Sequence, residues 1–588
     1  MSEKKVTGKV FDLALFKRLL SYIKNYRFAF IIAAVSVLLL ALFAAVRPII
    51  LIKIVDDYIS TKNSRQVLNF SLIMFGILLF EVIFQFLFIF FANFLGQNII
   101  KDIRTQLFEH ISKFKMNYFN NTPVGKIVTR VVSDIETIAS VFGQGLFMII
   151  SDLLKMFLVI IVMLSKNWQL ALIVFSALPV LIYATKIFKD AMKSAFQEVR
   201  TEVSNLNSFV QERLTGMKIV QLFSREKTEY NQFKAINERH KKAWIKTVWY
   251  NSIFFPIAEV VPSIVLGFVV WYGGTDMLSS GSTSAGEIIG FIMMNQMLFR
   301  PLRQIADKFN TLQMGMVAAD RVFKIIDDDQ LEIQNITTTN NDSKIKGDIE
   351  FDNVHFSYIE NEEVLKGVSF KVKKGQTIAV VGSTGAGKST IINLLNRFYH
   401  IDSGKITIDN TNLYDYNLTS LRKQIAVVLQ DVFLFSDTIY NNITLNNSKI
   451  SLTEVKEAAK KIGIHEFIMS LPNNYQYNVK ERGVMLSSGQ RQLIAFLRAY
   501  VSKPTILILD EATSSIDSQS EVLIQNATKL ITKDRTSIII AHRLATIKNA
   551  DSIIVMDKGK IIEQGNHATL LALKGTYNDL YEMQFSLA

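Results

Sequence analysis

The chain has 588 residues, of which 49% are hydrophobic and 11% aromatic, with a mean hydropathy of +0.24. This is too apolar for an ordinary soluble protein and predicts membrane segments. The formal net charge of +13 and pI near 9.4 come from Lys and Arg that flank apolar runs, which suits inward-facing loops of a membrane protein rather than a nucleic-acid surface. Cysteine is absent, so disulfides and thiolate metal sites are excluded.

In chain order, residues 1–26 form an N-terminal segment in which "FDLALFKRLLSYIK" (11–24) has apolar residues at helical spacing. It reads as an amphipathic helix on the inner membrane surface. The uncharged run Phe28–Val46 is longer than a signal h-region and lacks a cleavage site before Arg47-Pro48, so it reads as a retained span. Six stretches can cross ~30 Å of hydrocarbon: residues 28–54, 70–97, 141–165, 169–188, 252–274 and 286–305. Lys166-Asn167-Trp168 predicts a tight hairpin between the third and fourth. Two long charged helical loops separate the second from the third and the fourth from the fifth. Those loops and the N-terminus are rich in Lys and Arg, whereas Gly274–Gly286 has none, which places both termini and both long loops inside.

Ionisable residues inside spans are costly and therefore candidates for function. Glu81 and Glu259 are expected to line a polar substrate cavity. Asp152 and Lys155, three apart on one helix, could neutralise each other or serve the transport path.

Polar residues near 327–344 mark a linker, and the domain division expected is 27–320 for the membrane part, 321–346 for the linker and 347–588 for an α/β domain. In "IAVVGSTGAGKSTIINLL", Gly382, Gly387, Lys388 and Ser389 fill a G-x-x-x-x-G-K-[ST] pattern between a strand and a helix. Such a loop (Gly382, Ser383, Thr384, Gly385, Ala386, Gly387, Lys388, Ser389, Thr390) cradles the phosphates of ATP with backbone amides. The Lys388 ammonium reaches the terminal phosphates and the Ser389 hydroxyl suits Mg²⁺. The apolar strand of "ILILDE" ends in Asp510, suited to the Mg²⁺ shell, and in Glu511, placed to activate water. "SIIIAHRLAT" brings His542 to another strand end, where contact with the γ-phosphate is expected.

With "LSSGQ", "GSTGAGKS" and "ILILDE" behind six spans, the sequence resembles an ATP-binding cassette exporter half-transporter over essentially its whole length. The fold implied is a membrane α-helical domain with six transmembrane helices and long cytoplasmic extensions, fused to an α/β P-loop nucleotide-binding domain. The resemblance further implies that Tyr358 stacks on adenine and that Gln430 joins the Mg²⁺ shell. Ser515 and Asp517 would cross to a partner chain, and the segments 116–134 and 214–226 would carry inner-loop ball joints against the ATPase domain. It also implies a dimer, in which the signature Leu486, Ser487, Ser488, Gly489 and Gln490 meets the ATP held by the partner's P-loop. Glycine is usual where Ser488 stands. Serine is tolerated if φ is negative there and weakens the half-site if the left-handed region is required. This mild departure leaves homodimer and heterodimer open.

Expected partners are thus a second half-transporter, the lipid bilayer and an amphipathic or hydrophobic drug-like or lipid substrate, with no nucleic acid. Expected cofactors are ATP and Mg²⁺, and the expected location is the bacterial cytoplasmic membrane. An ATP-gated channel or regulator would use the same parts. A soluble ATPase is excluded by the six apolar runs, and an importer usually keeps spans and ATPase on separate chains.

Overall fold

The computed structural model describes residues 12–279, 281–329, 344–510, 518–540 and 547–585. They form two compact units. One holds residues up to Ser112 and Pro123–Asp329; the other holds Lys113–Thr122 together with the C-terminal part of the chain.

The first unit is helical. Asp12 caps Leu13–Ser21 by accepting from the amides of Ala14 and Leu15 at 2.9 and 3.2 Å, and starts the expected amphipathic helix. Arg27–Lys53 follows with Pro48 inside it and a π-helical turn, Ile54–Ile59, beyond. Ser64–Ile111, Phe147–Lys166, Ala177–Thr215, Glu226–Ser279 and Ala285–Ile326 are the other long rods.

At about 1.5 Å per residue, a rod of 48 residues such as Ser64–Ile111 is about twice as long as the hydrocarbon is thick. The long inner loops are therefore continuations of the spans themselves. The expected hairpin is present: Asn167 leaves the helical region at φ −153°, and its side chain accepts from the amides of Gln169 and Leu170 at 3.1 Å. A break at Ser176 separates Trp168–Phe175 from Ala177–Thr215.

Among the described residues, five segments are long and apolar enough to cross a membrane. The sixth expected span lies on Ala285–Ile326, a continuous helix of 42 residues whose apolar run is interrupted by Asn295, Gln296 and Arg300. That helix continues to Ile326, so the first residues of the expected linker are helical.

Among the described residues the second unit contains ten strands: β1 (Ile349–Ile359), β2 (Glu362–Val372), β3 (Thr377–Gly382), β4 (Ser403–Ile408), β5 (Thr411–Asn412), β6 (Ile425–Val428), β7 (Ile506–Asp510), β8 (Thr536–Ile540), β9 (Ser552–Asp557) and β10 (Lys560–Gly565). They form a four-stranded antiparallel sheet ordered β2-β1-β4-β5 and a six-stranded sheet ordered β10-β9-β3-β8-β7-β6. In the larger sheet β3 runs parallel to β8 and β9, and β7 runs parallel to β8 and β6.

Alternation along these strands builds two cores. Ile378, Val380, Ile506, Ile508, Ile538 and Ile540 face the antiparallel sheet, while Ala379, Val381, Leu507, Leu509 and Ile539 face the opposite helical layer. Both faces are thus buried, which is why these strands read as unbroken apolar runs in the sequence.

Candidate nucleotide site

Four parallel strands deliver the expected catalytic segments to one edge of the larger sheet. The P-loop follows β3, Asp510 ends β7, Gln430 lies two residues past β6, and β8 leads to the segment that contains His542. Glu511, Ser515, Asp517 and His542 themselves lie outside the described residues.

The P-loop conformation depends on glycine at two positions. Gly382 has φ 148°, and a Cβ there would stand 2.1 Å from the Met556 carbonyl oxygen on neighbouring β9. Gly387, at φ 98°, precedes the first turn of Lys388–Leu395, and a Cβ would meet Leu365 at 2.7 Å. Between them Ser383, Thr384 and Gly385 are exposed, Ala386 is buried, and the Ala386 amide donates to the Ser383 carbonyl at 3.2 Å. The helix thus presents its amino end and an accessible loop to an anion. Ile391, Ile392, Leu394 and Leu395 anchor it in the core between the sheets.

Lys388 is 8% exposed, and its Nζ donates to the carbonyls of Gly382 and Ser383 at 2.8 Å each. Burial pushes this ammonium below the usual lysine range, while the nearby Asp510 carboxylate pulls it back up. The cation is held inside the loop by carbonyl groups, so phosphate oxygens arriving there would meet a pre-positioned charge.

Ser389 is exposed at the second position of the helix, Gln430 is exposed, and Asp510 is partly buried at the end of β7. Hydroxyl, amide and carboxylate oxygens are hard donors of the kind Mg²⁺ takes together with waters and substrate phosphates. The donor set fits that ion.

Tyr358 near the end of β1 is 40% exposed and is held from behind. Its hydroxyl donates to Thr390 Oγ1 at 3.3 Å and accepts from Asn393 Nδ2 at 2.9 Å, which ties the ring to the P-loop helix. Phe356 and Tyr399 meet it edge-on at 4.8 and 4.9 Å. The ring is thus held in place yet partly accessible to a planar base. Sequence reasoning missed Tyr399. Its hydroxyl accepts a hydrogen bond from Asn120 on the short helix Met116–Asn121, and the stretch Lys113–Thr122 of the first inner loop groups with the ATPase unit.

The signature heads the helix Ser488–Val501. Ser487 is its N-cap at φ −66°, ψ 163°; the hydroxyl accepts from the Gln490 amide at 3.2 Å, and Gln490 Oε1 accepts from the Ser487 amide at 2.9 Å. This capping box fixes the turn. Leu486 is buried, and its carbonyl accepts from Arg491 Nη1 at 2.7 Å. Ser488 is the first helical residue and is not among the residues of positive φ.

The left-handed condition that would penalise serine at position 488 is therefore not met. Ser488→Gly should shift the unfolding free energy by at most ~1 kcal/mol and leave ATPase turnover within about threefold. A gain of about tenfold, equivalent to 1.4 kcal/mol, would show that serine does strain the site.

In the helical unit, Glu81 pairs with Arg47 at 3.4 Å, and Glu259 is exposed on Glu226–Ser279. Asp152 pairs with Lys308, not with the neighbouring Lys155.

Two family profiles match this chain. One describes the ABC transporter transmembrane region and covers residues 30–302; the other, ABC transporter, covers residues 365–514. The chain is 36% identical to an uncharacterized ABC transporter ATP-binding protein of Bacillus subtilis, over 100% of this chain and 97% of that protein. It is 33% identical to an ATP-dependent lipid A-core flippase of Syntrophus aciditrophicus, over 97% of this chain and 94% of the other. It is also 36% identical to a Bacillus subtilis protein named as a probable multidrug resistance ABC transporter ATP-binding/permease protein, over 87% and 76%. Full-length similarity of this kind, with a P-loop ATPase unit and a helical unit of several spans on one polypeptide, makes the chain a member of the ABC transporter family, a multi-pass membrane protein that couples ATP hydrolysis to transport.

Proposed function

We propose that the chain is one half of an ATP-driven exporter of the bacterial cytoplasmic membrane, moving an amphipathic or hydrophobic compound, drug-like or lipid, by alternating access. The observation that carries this is the fusion of both machines on one polypeptide, with the inner-loop helix Met116–Asn121 lodged in the ATPase unit through Asn120 and Tyr399. Motion of the ATPase unit would thus reach the spans through a short helix continuous with them in the chain.

Within the nucleotide site, Lys388 and the amino end of its helix would hold the terminal phosphates, and Tyr358 the base. Ser389, Asp510 and Gln430 would hold Mg²⁺, which supplies charge neutralisation for phosphoryl transfer. Glu511 would take the proton of the attacking water, and His542 would contact the γ-phosphate. A partner's Leu486, Ser487, Ser488, Gly489 and Gln490 would close the pocket, with Ser515 and Asp517 crossing the interface.

An apolar tip on the second inner loop supports the need for a partner: Ile219, Leu222 and Phe223 are 58%, 67% and 70% exposed. The partner is an identical chain or a related half-transporter. Co-purification with a differently tagged copy decides between the two.

The function is tested in inside-out vesicles. ATP-dependent accumulation of an amphiphile against its gradient is expected; ATP-dependent collapse of a pre-formed gradient would identify a gated channel instead.

A further inference from the structure

The N-terminal segment is fastened to the helical unit by one stripe of side chains, Arg18, Tyr22 and Tyr26, spaced four apart. Arg18 grips the Asp327 carboxylate through both Nη atoms, at 2.6 and 2.8 Å. Its guanidinium also lies 4.0 Å over the Phe323 ring, on which Tyr22 stacks at 6.2 Å. The Tyr22 hydroxyl donates to Gln106 at 2.7 Å and the Tyr26 hydroxyl to Asp102 at 3.0 Å, both on Ser64–Ile111. One turn further along that rod, His110 Nε2 stands 3.1 Å from the Asp328 carbonyl oxygen. The segment thus clasps the end of Ala285–Ile326, where the chain leaves for the ATPase unit, to the end of Ser64–Ile111.

Its other side carries a different chemistry. Lys17, Lys24 and Arg27 are exposed, with Leu13 and Phe28 73% and 75% exposed at the two ends. Leu19 and Ile23 are buried, and Leu15, Phe16 and Leu20 are half-buried, so much of the apolar side is used within the protein. What remains to meet a membrane surface is mainly cationic, the pattern that anionic headgroups attract.

The clasp itself is weak. The Arg18 and Asp327 side chains are 36% and 55% exposed, and ion pairs open to water contribute little. Each cation held at an anionic surface gains at least as much, so three of them decide whether the clasp stays closed.

We propose that the N-terminal segment senses membrane surface charge: anionic headgroups of the inner leaflet hold Lys17, Lys24 and Arg27, which keeps Arg18 on Asp327. A docked segment ties the ends of Ser64–Ile111 and Ala285–Ile326 together, so a displacement of one is passed to the other. On a zwitterionic surface only the weak clasp remains, the two ends part more readily, and the ATPase cycle runs more slowly. The proposal rests on the inward placement of the N-terminus and not on the nature of the cargo.

The test uses the assembled transporter in phosphatidylcholine liposomes, with or without phosphatidylglycerol. Because the chain has no cysteine, L13C carries a single spin label. Its collisions with oxygen and with a water-soluble nickel chelate report whether the segment lies in lipid. Phosphatidylglycerol should shift that collision ratio about tenfold toward oxygen and raise ATPase turnover about threefold. K17Q/K24Q/R27Q should lose both responses and K17R/K24R keep both, while molar salt should erase the label response by screening. D327N should keep the label response, since the cations are intact, but lose the turnover response, and D327E should restore it.

A label response that K17Q/K24Q/R27Q retains in full, or that persists in molar salt, overturns the proposal, because the apolar ends alone would then hold the segment. So does a turnover that phosphatidylglycerol does not raise, or a rise that D327N leaves intact, because the clasp would then transmit nothing.

Discussion

Lys388→Ala is expected to weaken ATP binding about a hundredfold, the effect of removing about 3 kcal/mol of charge-assisted contact, and to abolish measurable transport. In the structure this ammonium is buried, bridged to the carbonyls of Gly382 and Ser383 at 2.8 Å, and faces Asp510. It is therefore fixed before any phosphate arrives, and little ordering remains to be done on binding. Alanine would also remove the lysine donor from the Gly382 carbonyl and one of two donors from the Ser383 carbonyl, so a modest drop in the ATPase unit's melting temperature should accompany the loss. Equilibrium binding of a fluorescent ATP analogue measures the first effect and calorimetry the second. Unchanged nucleotide affinity would remove Lys388 from the phosphate site.

The same burial gives this site a pH dependence. The Lys388 pKa is lowered by desolvation, with Asp510 opposing, so the ammonium deprotonates at a lower pH than a free lysine does. ATP affinity should hold below that folded-state value and fall as pH rises through it, before ordinary lysines titrate. Bound phosphate favours the charged form and moves the fall upward. A titration of affinity from neutral to alkaline pH, with Lys388→Ala showing no such fall, checks the sign.

The strands and the P-loop turn that frame the candidate nucleotide site were legible in the sequence because their signals are local. Gly382 and Gly387 carry backbone angles and close approaches that only glycine tolerates, and β3, β7 and β8 are buried on both faces, so their composition identifies them. The helical unit was less legible, because its decisive contacts join distant residues. Nothing near Asp152 points to Lys308, 156 positions away, whereas Lys155 lies one turn off and makes a plausible decoy.

Arg47 ends the first apolar run and Lys308 sits just past the sixth. Charges at the ends of hydrophobic runs are thus the signal that could have suggested both pairings. The inner loops were legible as helical, but not as unbroken continuations of the spans, because hydropathy changes at the membrane surface while the backbone does not. The short helix at 116–121 fell inside the expected membrane part by chain order, and the resemblance had it meeting the ATPase domain; it groups with the ATPase unit, where Asn120 donates to Tyr399. The serine at position 488 needed φ at one residue, which no composition encodes.

Glu511→Gln should leave ATP binding intact while lowering turnover about a thousandfold, within the range supplied by a positioned general base. The residue follows Asp510, whose strand is locked in register between β6 and β8, with Asp510 opposite Ile540 and Leu509 opposite Val428. Glutamine has nearly the same volume as glutamate and loses only the capacity to accept a proton. Lys388, Tyr358 and the signature helix are untouched, so ATP should bind and remain uncleaved. If each pocket is completed by the opposing chain's signature, the variant should accumulate as a nucleotide-locked dimer, visible as a shift to the larger species in light scattering when ATP and Mg²⁺ are added. Adding Ser487→Ala, which removes the cap at the Gln490 amide, should prevent that accumulation without altering binding of ATP to the isolated P-loop face. Near-normal turnover in Glu511→Gln would strip the glutamate of its role as base. Full turnover by a strictly monomeric chain would show that one P-loop needs no second signature to cleave its nucleotide.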